Sequence, residues 1–96
     1  EAGGKALLPD EVAIFAKGLR NWKIEINKKI TRKFEFKTFT EAMRFVNSVA
    51  GLAESEGHHP DIHINYNEVI LELTTHAVKG LTENDFIVAT KIDKME

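Results

Sequence analysis

The sequence predicts an α+β domain in which helices cover one face of a four-stranded antiparallel sheet. Two pairs of segments alternate apolar and polar residues with the period of a strand, and three other segments place apolar residues at helical spacing. The segments follow one another in the order α-β-β-α-β-β-α, and clean alternation is typical of sheets with one covered face. A chain of 96 residues is expected to form a single domain, 1–96.

Local signals mark the ends of the three predicted helices. The first is expected to begin at Pro9 and to run to about residue 19, with Gly18 close to its end. Either Thr38 or Thr40 can cap the second helix, which is expected to end at about residue 56. Thr82 precedes the third helix and is expected to cap it.

The first predicted hairpin has its turn at residues 27–29, in a register that pairs Ile26 with Ile30. All the apolar residues of this hairpin have even numbers, so apolar residues face one another only in registers that keep this parity. The same register pairs Ile24 with Arg32 and therefore brings a guanidinium onto the apolar face. Either the stem of this side chain reaches water, or a bulge shifts the register.

The second predicted hairpin has a two-residue turn at 67–68, because asparagine tolerates a positive φ at modest cost. Tyr66 then faces Val69. If the strands keep this register away from the turn, His59 lies opposite His76 at the open end of the hairpin. The sequence therefore predicts that two histidines far apart in the chain meet.

Three histidines, His58, His59 and His76, are expected at this open end. An imidazole gives or takes a proton near neutral pH, and a group of them offers an acid and a base at once. Surface histidines at the end of a strand are the simpler interpretation for any one of them. Their convergence favours proton-transfer chemistry or binding, although the pattern alone names no substrate.

Two other interpretations concern the neighbouring polar residues. His63 is predicted to pair with Glu72 on the polar face, where a solvated ion pair accounts for it. A metal site is the alternative to proton transfer, and without cysteine it needs three histidines together with Glu54 or Asp85.

Composition and charge indicate which classes of function are disfavoured for this chain. Thirteen basic and fifteen acidic residues give a formal charge of −2, which disfavours direct binding to nucleic acid. The longest apolar run, 12–16, is far shorter than the roughly 20 residues of a membrane span. The start of the chain lacks the pattern of a signal peptide. These features predict a cytoplasmic protein that does not bind membranes.

A family resemblance rests on a set of residues that extends over nearly the whole chain. The set comprises Glu54-x-x-x-His58-His59-Pro60, Tyr66, Thr75-His76 and Asp85, with Trp22, Arg32-x-Phe34-x-Phe36 and Gly80-Leu81-Thr82. In these residues the chain resembles the pterin-4a-carbinolamine dehydratases. The length and the α-β-β-α-β-β-α order of that family also agree with the elements predicted above.

The resemblance implies an activity. The family removes water from 4a-hydroxytetrahydropterin to give quinonoid dihydropterin, and so recycles the tetrahydrobiopterin used by aromatic amino acid hydroxylases. It implies that neither a metal nor an organic cofactor is needed.

The resemblance also assigns roles to residues. It implies that three histidines are catalytic: His58, His59 and His76. It implies that four further residues bind the substrate: Trp22, Glu54, Thr75 and Asp85. We take His59 and His76 as the acid and base and expect His58 to hold the pterin. Asp85 is expected to fix the tautomer of a neighbouring imidazole, with His76 as the expected partner.

Partners are implied as well. Members of the family form dimers that extend the sheet and pair into tetramers, so self-association to a dimer or tetramer is expected. In animals the same protein is a dimerisation cofactor for a homeodomain transcription factor, which makes a transcription factor a possible partner. The alternative function is accordingly a non-catalytic dimerisation or coactivator module on the same fold.

Overall fold

The computed structural model describes residues 4–95. Its helices and strands, in chain order, are α1 (Pro9–Ala16), β1 (Lys23–Glu25), β2 (Lys29–Glu35), α2 (Phe39–Glu56), β3 (Asp61–Asn65), β4 (Glu68–Leu73) and α3 (Glu83–Asp93). A short 3₁₀ helix, His76–Val78, lies between β4 and α3. The predicted order α-β-β-α-β-β-α and the α+β class are confirmed.

The four strands form one antiparallel sheet in the order β1-β2-β4-β3. Side chains on the two central strands alternate between buried and partly exposed, as expected where one face is covered. The buried side chains on these strands pack against the helices in one apolar core. Its members on the sheet are Ile30, Phe34, Val69, Leu71 and Leu73, and its members on α2 and α3 include Ala42, Phe45, Val49, Phe86, Ala89 and Ile92.

The register of the first hairpin differs from the prediction by two residues. Ile30 pairs with Ile24 instead of Ile26, and the turn lies at residues 26–28. Asn27 takes the left-handed conformation in this turn, at φ 64°, which asparagine tolerates better than most residues. Because the turn begins one residue earlier, Ile26 lies in it and its side chain is 53% exposed.

Arg32 follows neither of the two alternatives that the predicted register left open. Its side chain is only 8% exposed, and its Nη1 lies 2.6 Å from Oδ1 of Asp93 near the end of α3. The guanidinium carbon also lies 4.3 Å from the centre of the Phe34 ring. The charge on the apolar face is therefore neutralised inside the protein by a residue from the other end of the chain.

The register of the second hairpin is also displaced by two residues. Ile64 pairs with Val69, and the turn lies at residues 66–67 instead of 67–68. The reason is a contact with Phe36, the residue after β2. The side-chain Nδ2 of Asn67 donates to the Phe36 carbonyl at 2.8 Å, and the Phe36 N–H donates to the Asn67 carbonyl at 2.9 Å. These two bonds hold Asn67 inside the turn, and Tyr66 takes the positive φ of 54°.

This displacement overturns the predicted meeting of His59 and His76 in the ladder. The pairing of β3 with β4 ends at Asp61 and Glu72, and the chain from His76 onwards winds into the 3₁₀ helix. His63 lies opposite Ile70 instead of Glu72. Its Nε2 is nevertheless 3.6 Å from Oε1 of Glu72, so the predicted ion pair forms diagonally across the strands.

The helix ends are close to the prediction. Thr38 caps α2, because its Oγ1 accepts a hydrogen bond from the Glu41 N–H at 3.1 Å, and Thr40 lies inside the helix. The first helix ends earlier than expected, at Ala16. Residues 17–19 continue it with hydrogen bonds to carbonyls three residues back, as in a 3₁₀ turn.

Candidate active site

His58 is placed by the end of α2. Gly57 ends this helix in the left-handed conformation, at φ 65°, which glycine adopts without steric cost. The His58 N–H then donates to the Ala53 carbonyl at 3.2 Å, and the side chain turns inwards. His58 is 2% exposed, and its Nε2 lies 2.6 Å from Oδ1 of Asp85, which is fully buried in the first turn of α3.

The second oxygen of Asp85 is also engaged. Oδ2 accepts one hydrogen bond from the Thr82 N–H at 2.9 Å and one from the Thr75 hydroxyl at 2.9 Å. The two threonine hydroxyls lie 2.8 Å apart. Thr75 and Thr82 are 0% and 1% exposed. A buried carboxylate therefore joins the end of α2, the segment after β4 and the start of α3, with each of its oxygens hydrogen-bonded.

His76 lies near this group because it directly follows Thr75 in the chain. Thr75 is fixed by a backbone bridge to Gly80, in which the Thr75 N–H donates to the Gly80 carbonyl at 2.8 Å. The exposed His76 follows at once and begins the 3₁₀ helix. The structure thus brings the segments that carry His58 and His76 together through Asp85, although by a route other than the predicted ladder. The imidazole that Asp85 contacts is that of His58, whereas the sequence analysis expected His76.

His59 lies on the outside of the same chain segment. Its Nε2 is in contact with Oε2 of Glu54, one turn back on α2, and both side chains are well exposed, at 53% and 77%. Two successive histidines therefore have opposite environments. The buried one is held by a buried carboxylate, while the exposed one lies beside an exposed carboxylate at the surface.

Trp22 belongs to a different part of the structure. Its indole N–H donates to Oδ1 of Asp93 at 2.8 Å, and its ring meets Phe34 edge to face at 6.3 Å between centroids. With an exposed fraction of 9% it is part of the core. The role in pterin binding that the resemblance implies for Trp22 stays a prediction.

Thr82 is the residue of this group that sequence analysis missed. The sequence analysis expected it to cap α3 and included it in the motif of the family resemblance, but assigned it no role in the site. The signal for a further role is tertiary, because the Thr75 hydroxyl that it contacts belongs to the other side of the loop.

The described residues contain neither a group of metal ligands nor a membrane-spanning helix. Within residues 4–95, no three or more histidine, aspartate or glutamate side chains are grouped as metal ligands would be. Nor does this part of the chain contain a helix with the length and apolar character that crossing a bilayer requires.

The model of the family described as pterin 4 alpha carbinolamine dehydratase matches residues 5–95. The chain belongs to this family. The resemblance stated from the sequence is therefore confirmed. A further expectation, that His58, His59 and His76 act on the substrate, stays a prediction.

Relatives in several bacteria carry the provisional name pterin-4-alpha-carbinolamine dehydratase. The one in Nitrosospira multiformis is 44% identical over 89 residues, which are 93% of this chain and 78% of the relative. The one in Hydrogenovibrio crunogenus is 36% identical over 96 residues, which are 99% of this chain and 85% of the relative. These matches extend over almost the whole of the chain described here.

Two solved structures share the fold. A protein from Brucella melitensis, described as a transcriptional coactivator/pterin dehydratase, superimposes with a TM-score of 0.88 at 34% identity, over 95% of this chain and 98% of its own. A pterin dehydratase-like protein described as a RuBisCO assembly factor in the alpha-carboxysome superimposes with a TM-score of 0.67 at 20% identity, over 81% of this chain and 92% of its own. The second likeness concerns the fold alone.

Proposed function

We propose that this protein eliminates water from 4a-hydroxytetrahydropterin to give quinonoid dihydropterin, in the recycling of tetrahydrobiopterin in the cytoplasm. Family membership supports the substrate class. One structural observation carries the assignment of the site. The buried His58, 2.6 Å from Asp85, is followed in the chain by the exposed His59 and linked through Asp85 and Thr75 to the segment of His76.

The reaction needs an acid and a base. The C4a–O bond breaks as the N5 lone pair forms a double bond to C4a. Hydroxide is a poor leaving group, so an acid donates a proton to the departing oxygen and water is released. A base then takes the proton from N5, so that the site has given one proton and received one. General acid–base catalysis of this kind typically increases the reaction rate by about 10²–10⁴-fold.

We assign the acid and the base to His59 and His76. Both side chains are exposed, so each can be reset by water between turnovers. His58 is assigned to holding the pterin, because a ring that is 2% exposed and bonded to a buried carboxylate is fixed in orientation.

The four remaining site residues receive supporting roles. Asp85 orients His58 by accepting from its Nε2, and Glu54 orients His59 in the same way at the surface. Trp22 and Thr75 are assigned to the pterin on the family resemblance alone. The Thr75 hydroxyl is already engaged with Asp85 and Thr82.

The test is the rate at which freshly generated 4a-hydroxytetrahydropterin loses water, followed by ultraviolet absorbance. We expect wild type to accelerate the reaction, and we expect His59→Ala and His76→Ala each to lose roughly 10²-fold or more of the acceleration. The matched control is His63→Ala, which removes another exposed histidine, on β3, and should keep the wild-type rate. No acceleration by folded wild type would refute the proposed activity, and full activity of both variants would refute the assigned residues.

A second candidate function is a non-catalytic coactivator module. The observation that favours it is the description of the Brucella melitensis protein, which names a transcriptional coactivator beside the dehydratase. The partner would then be a transcription factor, and the histidines would be dispensable. Wild type that is folded but does not accelerate dehydration is the outcome that favours this candidate.

Self-association to a dimer or tetramer is part of the same proposal. Its support is the sheet edge at β3, where most residues are exposed. The measurement that checks it is argued in the Discussion.

A further inference from the structure

Thr82 makes one contact that a helix cap alone does not need. Its N–H donates to Oδ2 of Asp85 at 2.9 Å, which is an ordinary first-turn contact. Its hydroxyl, however, lies 2.8 Å from the hydroxyl of Thr75, which comes from the segment after β4. Thr82 is 1% exposed, so this hydroxyl is removed from water.

The direction of these hydrogen bonds follows from the number of protons available. An ionised carboxylate only accepts, so the bond between Thr75 Oγ1 and Asp85 Oδ2, at 2.9 Å, uses the single proton of the Thr75 hydroxyl. Thr75 must then accept from Thr82, which donates its own hydroxyl proton. The result is an ordered chain from Thr82 through Thr75 to Asp85, and each bond in it favours the next.

This chain determines how Asp85 presents its other oxygen. Both donors act on Oδ2, from the backbone N–H of Thr82 and from the hydroxyl of Thr75. With Oδ2 held from two sides, Oδ1 is directed at Nε2 of His58, 2.6 Å away. The carboxylate has little freedom to rotate, and the imidazole that it binds has the same restriction.

We infer that Thr82 is a positioning residue, whose hydroxyl orients His58 through Thr75 and Asp85. The inference rests on the proposed function for its kinetic consequence, but its structural part concerns the protein without substrate. Because Thr75 directly precedes His76, the same chain also fixes where the 3₁₀ helix begins relative to His58. Thr82 is assigned no contact of its own with the pterin, and its expected effect is exerted through Asp85.

The experiment uses the full chain and three variants. Thr82→Val removes the hydroxyl and keeps the branched shape, while Thr82→Ser keeps the hydroxyl. Thr38→Val is the matched control, because it removes a threonine cap from α2 that contacts only its own first turn. Two properties are measured: the Nε2–H resonance of His58, in protein containing isotope-labelled histidine, and kcat and KM for dehydration of 4a-hydroxytetrahydropterin.

We expect Thr82→Val to shift the His58 Nε2–H resonance and to hasten its exchange with water. Its kcat should fall about 10-fold, since a misplaced group in a site costs rate even when it is still present. KM should change much less. Thr82→Ser should restore the resonance and most of the rate, and Thr38→Val should resemble wild type in both.

Two outcomes would overturn the inference. One is a His58 resonance and a kcat in Thr82→Val that equal those of wild type. The other is an equal loss in Thr38→Val, because the effect would then be general loosening of a helix end. Failure of wild type to accelerate dehydration would refute the proposed function instead, and the resonance of His58 would still decide the positioning role.

Discussion

Asp93 joins residues from distant parts of the chain, so its role depends on tertiary structure. Its carboxylate accepts from Arg32 Nη1 at 2.6 Å, from the Trp22 indole at 2.8 Å and from the Arg20 N–H at 3.0 Å. The Arg32 and Asp93 side chains are 8% and 5% exposed, so water screens the pair little. Removing one partner from such a pair is costly, because a buried charge loses the group that compensates it.

We therefore expect Asp93→Ala to lower the free energy of unfolding by about 3–5 kcal/mol. Lys91→Ala is the matched control on the same helix. Its Nζ lies at the same distance of 2.6 Å from Glu56, but these side chains are 48% and 25% exposed. Exposed pairs contribute about 1 kcal/mol or less. Urea unfolding followed by circular dichroism measures both.

The double variant Arg32→Met/Asp93→Leu separates the loss of the pair from the loss of packing. It should be more stable than Asp93→Ala, because no buried guanidinium is left beside an apolar residue. Equal losses in Asp93→Ala and Lys91→Ala would contradict the argument from burial.

The local role of Asp85 could be predicted from sequence, whereas its partner could not. Asp85 follows the predicted cap Thr82 by three residues, a spacing that places a carboxylate in the first turn of a helix, and the structure has it there. His58 lies 27 residues earlier in the chain, and this contact depends on how α2 and α3 meet. The spacing of residues in the sequence does not indicate how these two helices pack against each other. The same holds for Thr75, which the family resemblance assigned to binding and which the structure shows bonded to Asp85.

At the scale of the elements, both hairpins have the predicted faces and a register displaced by two residues. A displacement by two preserves the faces, because side chains alternate with a period of two. The alternation of apolar residues therefore predicted which face of the central strands is covered, whereas Ile26, Ile64 and Tyr66 of the same pattern are exposed. It could not predict where each turn closes. Asn27 and the contact of Asn67 with Phe36 decide that. The predicted pairing of His59 with His76 was wrong for this reason.

The cross-strand pair of Lys29 and Glu72 gives the sheet a dependence on pH. Lys29 Nζ donates to Oε2 of Glu72 at 2.9 Å. This hydrogen bond lowers the pKa of Glu72 below 4.5 and raises the pKa of Lys29 above 10.5. The contribution of Glu72 to stability is thus present above its unfolded pKa and is lost as the pH falls through the lowered value. That of Lys29 is present below 10.5 and is lost as the pH rises through the raised value.

We expect Glu72→Gln to flatten the acid side of a plot of urea midpoint against pH. Lys29→Met should flatten the same side, because it removes the donor that lowers the pKa of Glu72. The comparison with wild type is made from neutral pH down through the region below pH 4.5, the ordinary value for Glu72. An acid side that is equally steep in all three proteins would contradict the assignment.

At the scale of the whole molecule, the strand order leaves two edges, β1 and β3. The edge at β3 carries Ile64 and is followed by Tyr66, whose side chains are 42% and 66% exposed. The Tyr66 ring stacks on Phe39 at the start of α2, 6.5 Å between centroids. An exposed strand with apolar neighbours presents unpaired backbone groups to a second copy of the chain, which can extend the sheet.

We expect wild type to have a solution mass that is a multiple of 10.8 kDa, measured by sedimentation equilibrium, and we expect Ile64→Lys to lower it towards the monomer. A lysine on the edge keeps a second strand away, because pairing would bury its charge. Ile26→Lys is the matched control, since Ile26 is 53% exposed in the turn between β1 and β2, away from this edge. A monomeric wild type, or an equal effect of both lysines, would rule out association through β3.

The same edge lies close to the candidate site, because β3 begins two residues after His59. Pairing of this edge with a second copy would therefore also hold the segment of His58 and His59 in place. Dehydration rates measured across the dissociation range should therefore fall together with the mass.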